Sequence, residues 1–312
     1  MAKSNHAANR HIAPDEVNSP GKLASRFLQR SLKSVQRLLK VAAWDWKDDD
    51  EHVHQLRVSA RRALAAMHFF QELIPDPDRR WFRKKLKAVL RKTREARELD
   101  VLTTEKLFAC GKRERRLRKK WRSQRQDAQG SILAIQQKLA RNHRFRKHSR
   151  HLKRKLESDE SLTRVSGERW CCTRFEEICQ QFAMADSDAF DPDALHQLRI
   201  KTKQFRYIVD VVEQATSLRK LEALKSALAA MQEQLGQIQD CIAAKALLQK
   251  SQQTTKKPRD RDNLRRSIDR MNHRISEQTA LYRSWSKSRG GRKVAECLEV
   301  ISEQVARDQA GR

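Results

Sequence analysis

The sequence predicts an all-α protein made of two similar helical bundles that arose by internal duplication. Three observations carry this prediction. Gly and Pro are scarce, eight and six in 312 residues, while Leu, Ala, Lys, Arg, Gln and Glu dominate; those residues lose little rotamer freedom in a helix. Apolar residues recur at helical spacing through the central stretches of both halves. Finally, HQLRVSARR at 54–62 returns as HQLRIKTKQ at 196–204, an offset of 142. The same offset carries Leu86 onto Leu228, Ala88 onto Ala230 and Glu98 onto Asp240 without a gap. Two homologous halves follow, 21–157 and 161–307, behind a polar head, 1–19, that is expected to be disordered.

Each half reads as consecutive helices. Pro20 and Gly21 open the first, which runs through 21–43. DDDE at 48–51 suits the start of the second, because the positive end of a helix dipole favours carboxylates. IPDPDRR at 74–80 ends it and starts a third, which should run to about Glu98. A short helix over Leu99–Cys110 and a long, very basic one follow, the latter interrupted at Gly130. In the second half DPDALHQLR repeats the acidic start, and KKPRD at 256–260 marks a loop before the last long stretch. Short loops between long helices imply antiparallel neighbours, hence bundles.

The charge bounds the partners. The formal net charge is +29, from 68 basic and 39 acidic residues. Such a surplus concentrates polyanions, so nucleic acid, an acidic membrane surface and inorganic polyphosphate are all admissible. No run approaches the roughly 18 apolar residues of a membrane span. The N-terminal stretch has no apolar core like that of a secretory signal, so a cytoplasmic protein is expected. The six cysteines, at 110, 171, 172, 179, 241 and 297, form no CxxC pair and complete no zinc pattern with the histidines. Buried, reduced thiols are expected. No Walker-type phosphate loop, paired carboxylates or Ser-His or Cys-His arrangement points to catalysis. The chain is expected not to be an enzyme and to need no cofactor.

The segment 54–70 has two faces when placed on a helix at about 100° per residue. Leu56, Ala60, Ala63, Met67 and Phe70 cluster on one side; His54, Arg57, Arg61 and His68 fall roughly opposite. In the copy, Leu198, Phe205, Val209 and Val212 are apolar, and His196, Arg199 and Lys203 lie opposite, flanked by Arg206 and Tyr207. A polar face alone is what any solvated helix shows. Solvated faces, however, mix signs, since Glu–Lys pairs at i,i+4 are favourable. Arg57, Arg61 and Arg62 have no acidic residue three or four positions away. A counter-ion is missing along the helix, and the His-x-x-Arg-x-x-x-(Arg/Lys) pattern occurs in both halves. Arginine offers a planar fork for phosphate oxygens, and protonated histidine donates from both ring nitrogens.

Two further basic surfaces stand out. Arg80, Lys84, Lys87 and Arg91 form a stripe opposite Phe82, Leu86, Val89 and Thr93; its counterparts in the copy are Glu222, Ser226, Ala229 and Glu233. The stripe either widens a polyanion groove or is plain solvated surface. Residues 112–122 hold eight basic residues and one acidic, and RNHRFRKHSRHLKRK follows at 141–155. Such runs attract nucleic acid by counterion release. Aromatics are few, Trp121 and Phe145, so stacking on bases is poorly supported.

The HQLRVSARR stretch with ARELDV at 96–101, and LHQLRIKTKQFRY with LGQIQD at 235–240, resemble the CHAD family, the conserved histidine α-helical domains. The resemblance covers nearly the whole chain beyond the head. It implies two pseudo-symmetric helical bundles and binding of inorganic polyphosphate where the repeats meet. By position, His54, Arg57 and Arg61 answer to the first motif, and His196, Arg199, Lys203 and Arg206 to the second. Leu64 and Ala65 stand where the second copy has Arg206 and Tyr207, and Arg94 where the family often has Gly. Arg97, Glu98, Gln239 and Asp240 fall in the downstream element, where the acidic residues are expected to orient arginines or cap helices. No alternating ExExK run of a catalytic triphosphate-tunnel domain occurs. The expected site thus comprises His54, Arg57, Arg61, Arg62, Lys84, Lys87, Arg91, Arg97, His196, Arg199, Lys203, Arg206 and Tyr207. The expected protein is a polyphosphate binder associated with polyphosphate granules; the alternative is non-specific nucleic-acid binding by 112–155.

Overall fold

Helix α1 (Pro20–Trp44) starts one residue after Ser19, whose hydroxyl accepts from the Lys22 backbone N–H at 3.4 Å. Ser19 was expected in the head; it is instead the helix cap, and Pro20 sits where its missing N–H costs nothing. The computed structural model describes residues 19–46, 51–103, 112–159, 166–183, 190–255 and 257–310, with the side chains of 102–103 and 112–118 outside that description. The rest of the head, the acidic residues 48–50 and Cys110 therefore lie outside the described residues. Among those described there is no strand.

The remaining helices are α2 (Glu51–Phe69), α3 (Asp76–Lys92), α4 (Arg94–Thr103), α5 (Lys112–Ala140), α6 (Arg144–Ser158), α7 (Gly167–Ala183), α8 (Pro192–Val212), α9 (Leu221–Thr254), α10 (Pro258–Lys287) and α11 (Arg289–Ala310). Asp191 caps α8, its carboxylate accepting from the Asp193 and Ala194 N–H groups at 3.0 Å. Shifted by 142 residues, α1 falls on α7, α2 on α8, α5 on α10 and α6 largely on α11.

Two boundaries differ from the expectation. The third helix does not reach Glu98 but stops at Lys92, and α4 begins at Arg94. Buried Thr93 lies between them; its hydroxyl turns back to the carbonyls of Val89 and Leu90, at 2.8 and 3.3 Å. In the second half α9 runs unbroken through the matching position. The long basic helix is not interrupted at Gly130; α5 continues to Ala140. The reversal comes at Asn142 and His143, both left-handed at φ 53° and 52°. Asn tolerates that conformation better than most residues. The turn folds α6 back along α1.

The two sets of helices share one core. α2 packs on α8 and α1 on α7, so helices from matching positions of the two halves meet. The larger apolar cluster takes residues from every helix, from Leu23 of α1 to Val305 of α11. Leu56, Ala60, Ala63, Met67 and Phe70, the apolar side read from the sequence, are at most 1% exposed. A smaller cluster of Leu99, Trp121, Leu248, Leu264, Ile268 and Met271 joins α4 and α5 to α9 and α10. Cys171, Cys172, Cys179, Cys241 and Cys297 are free thiols, and all but the half-buried Cys172 are buried.

Candidate functional site

Because α2 and α8 bury their apolar sides in the common core and lie against each other, their polar sides converge. His54, Arg57 and Arg61 come from α2, Arg199 and Lys203 from α8, and Arg97 reaches the same place from α4. None of these six is buried outright; each is half-buried among the others. That position has a measurable electrostatic consequence. Burial, then repulsion from Arg199 and Arg61, lowers the Lys203 ammonium to a pKa of about 7. Burial, then Arg97, Lys203, Arg61 and Arg57, pushes His54 down to about 4. Arg57 falls to about 10, and Arg61 and Arg199 are also lowered, burial being the leading cause in each. A burial penalty opposing the charged form, combined with like neighbours, is what a cation cluster without enough counter-ions produces.

Acidic relief is limited. Asp240 of α9 acts on Arg199 and Lys203 and feels Arg97. Glu98 pairs with Arg94 at 2.6 Å, and its charge also acts on Arg57. Glu51 lies 3.7 Å from His54, but with its pKa near 4 that ring is neutral at pH 7. The buried Nε atoms of Arg199 and Arg206 have no hydrogen-bond partner among the described residues. Unpaired buried donors are uncommon in folded proteins and costly, so these two need an acceptor.

The basic side was expected to be free, and part of it is not. Arg57 donates to the Leu90 carbonyl at 2.5 Å and to the Thr93 hydroxyl at 2.9 Å, tying α2 to the break between α3 and α4. The His196 Nδ1 is 2.5 Å from the Gln239 side-chain oxygen. Arg62 leaves the cluster: it is 57% exposed and pairs with Asp210 of α8 at 3.7 Å. No acidic residue is near it along α2, but α8 supplies one across the interface. Tyr207 is 3% exposed; the guanidinium groups of Arg62 and Arg206 lie 5.8 and 5.4 Å from its ring centroid, and its phenol acts on Arg61 and Arg199 of the cluster.

Lys84, Lys87 and Arg91 stand exposed, opposite the buried Phe82, Leu86, Val89 and Thr93. Arg91 lines a separate cavity of about 410 Å³ with Arg94, Glu98, Lys120, Trp121 and Lys250. Arg174 was missed from the sequence. It is buried in α7, bonded to Glu72 at 2.9 Å and to Glu177; burial, then the Arg174 charge, lowers the His68 pKa. Its signal was available: the 142-residue offset places Arg174 on Leu32, an apolar core position of the first half.

These features define a class first: an all-helical scaffold in which two facing helices concentrate under-neutralised cations. The sequence model of the CHAD domain matches residues 19–249, most of the chain, and the chain belongs to the CHAD domain family. No curated relative matches it. In fold it is similar to the CHAD domain from the plant Ricinus communis, whose crystal structure aligns with a TM-score of 0.67 at 20% identity, over 93% of this chain and 95% of that one. It is also similar to PptA from Streptomyces chartreusis, with a TM-score of 0.59 at 17% identity, over 86% of this chain and 100% of that one. No helix among the described residues is long and apolar enough to cross a membrane.

Proposed function

We propose that the chain binds inorganic polyphosphate along the α2–α8 cluster, as a holder of the polymer and not as an enzyme. One observation carries the reading: the fold brings His54, Arg57, Arg61, Arg199, Lys203 and Arg97 together, with Asp240 the acidic side chain coupled to both Lys203 and Arg97. A dense linear polyanion supplies acceptors to several cations at once. It would reprotonate Lys203 and His54, satisfy the Arg199 and Arg206 Nε donors, and relieve the repulsion that depresses the cluster. Repeated phosphates make binding multivalent, so affinity should rise steeply with chain length. Inside the cell, such a protein would sit on polyphosphate granules.

The test is competition at near-physiological salt. Labelled long-chain polyphosphate is challenged with equal phosphate as orthophosphate, short-chain and long-chain polyphosphate, for wild type and an Arg61→Ala/Arg199→Ala/Lys203→Ala variant. The reading requires long chains to compete best and the variant to lose at least ten-fold in affinity. Equal competition per phosphate at all lengths, or full binding by the variant, would sink it.

A further inference from the structure

The second concentration of positive charge is a groove, and it shares no residue with the α2–α8 cluster. It has a volume of about 950 Å³ and runs between α1 and α6. Its walls carry Lys33 from α1 and Lys147, Arg150, His151 and Arg154 from α6, with Glu157 the single acidic residue lining it. Glu157 is already occupied: it accepts from Ser25 at 2.8 Å and lies 3.8 Å from Lys153. The four α6 residues are all exposed.

The groove is rigid beneath those side chains. Buried Ser149 and Gln29 exchange two hydrogen bonds across the α1–α6 contact, at 2.6 and 3.0 Å. Phe145 packs edge-on to Phe82, His148 stacks on Trp81 with centroids 4.0 Å apart, and Lys155 pairs with buried Asp78 at 3.0 Å. At the 142-residue offset, Arg289, Arg292 and Lys293 of α11 stand where α6 has Lys147, Arg150 and His151, and Glu296 stands where α6 has Arg154.

We infer that the α1–α6 groove is a second, independent polyanion site, fitted to the phosphate backbone of duplex nucleic acid. Its α6 cations are exposed, unlike the half-buried cluster on α2 and α8, which suits counterion release rather than close coordination. No Phe, Tyr or Trp lines it, so it has no platform on which unpaired bases would stack. From Lys147 to Arg154 the helix rises about 10 Å, close to three base-pair rises along the axis of B-form DNA. Nothing in the lining would read base edges, so binding is insensitive to sequence.

The inference does not depend on the polyphosphate reading, and one experiment separates them. A labelled 20-base-pair DNA duplex and labelled long-chain polyphosphate are each titrated with the full chain. The titrations are repeated for a Lys147→Ala/Arg150→Ala/Arg154→Ala variant and for the α2–α8 triple variant. The α6 substitutions are on exposed positions, and circular dichroism confirms that the helices persist. The expected result is a loss of ten-fold or more in duplex affinity, with a shallower salt dependence, in the α6 variant only. Replacing both arginines by lysine should retain most of the binding. Unchanged duplex binding by the α6 variant overturns the inference, as does loss of polyphosphate in place of duplex, or no duplex binding by wild type at 50 mM salt. If duplex binding follows α6 while polyphosphate binding is absent, the inference stands and the polyphosphate reading fails.

Discussion

Lys203 shows how the candidate site and the stability of the fold pull in opposite directions. Its pKa of about 7 lies well below the ordinary value of 10.5, so the unfolded chain binds its proton more tightly than the folded one. For this group, stability therefore rises as pH increases from about 7 to about 10.5. Bound polyphosphate reverses the preference, because it favours the ammonium. Binding at pH 8 should take up close to one proton, and affinity should fall as pH rises above 7. Calorimetry in two buffers of different ionisation heat reads that proton directly. Lys203→Arg, whose charge does not titrate there, should abolish most of the uptake while keeping binding. Lys203→Met should make the free protein more stable by about 1–2 kcal/mol at pH 7, by removing a half-buried charge, and weaken polyphosphate about ten-fold. A variant that is less stable and binds normally would show that Lys203 is structural. Thr93 is structural in that sense: it satisfies Arg57 and turns the chain between α3 and α4. Thr93→Ala should cost about 1–3 kcal/mol, seen as a lower urea midpoint, because a buried partner of a guanidinium is lost.

At the scale of elements, α5 is the strut that holds α1 and α4 together. Arg125 and Asp100 form a buried pair at 2.5 Å across α5 and α4. Beside it, Gln129 donates to the carbonyls of Ala42 and Ala43, both at 2.9 Å, at the end of α1. Asp100→Ala strands a buried guanidinium and should cost about 3–5 kcal/mol in urea denaturation. A loss under 1 kcal/mol would mean that water reaches the pair. The element boundaries that the sequence misplaced have local causes. Gly130 only suggested a break, since an isolated Gly is tolerated within a helix; the continuing i→i−4 ladder carries α5 through it. The break at Thr93 depends on a hydroxyl aimed at carbonyls and on Arg57 arriving from another helix, and no local pattern announces either.

For the whole molecule, one shared core joins the helices of both halves of the chain. Phe69 and Phe70, at the end of α2, meet Trp170 of α7 with centroids 5.7 Å away in both cases. Phe70 is fully buried at that junction. Phe70→Ala should lower stability by about 3–5 kcal/mol, as large-to-small changes in a core do. Calorimetry should still show a single transition, because the cavity weakens both halves together. Two resolved transitions would mean that the halves are separately stable.

Much of this protein was legible in its sequence. Helical composition, the buried edges of α2, α3 and α8, the breaks before α3 and α10 and the basic faces around His54 and His196 follow from periodicity and from Gly, Pro and acidic punctuation. Those are properties of neighbours along the chain, and they are encoded locally. What the sequence could not decide was which charges meet. Arg62 was read with Arg57 and Arg61 but pairs with Asp210 across α8; Tyr207 is buried beside Arg62 and Arg206; Lys84, Lys87 and Arg91 stand exposed on α3. The depressed pKa values of His54 and Lys203 likewise come from burial, and from charges on α2, α4 and α8, that only the packing of those helices brings about. Helix formation depends on residues a few positions apart, whereas charge pairing and burial depend on distance in space, and only the tertiary structure sets that distance.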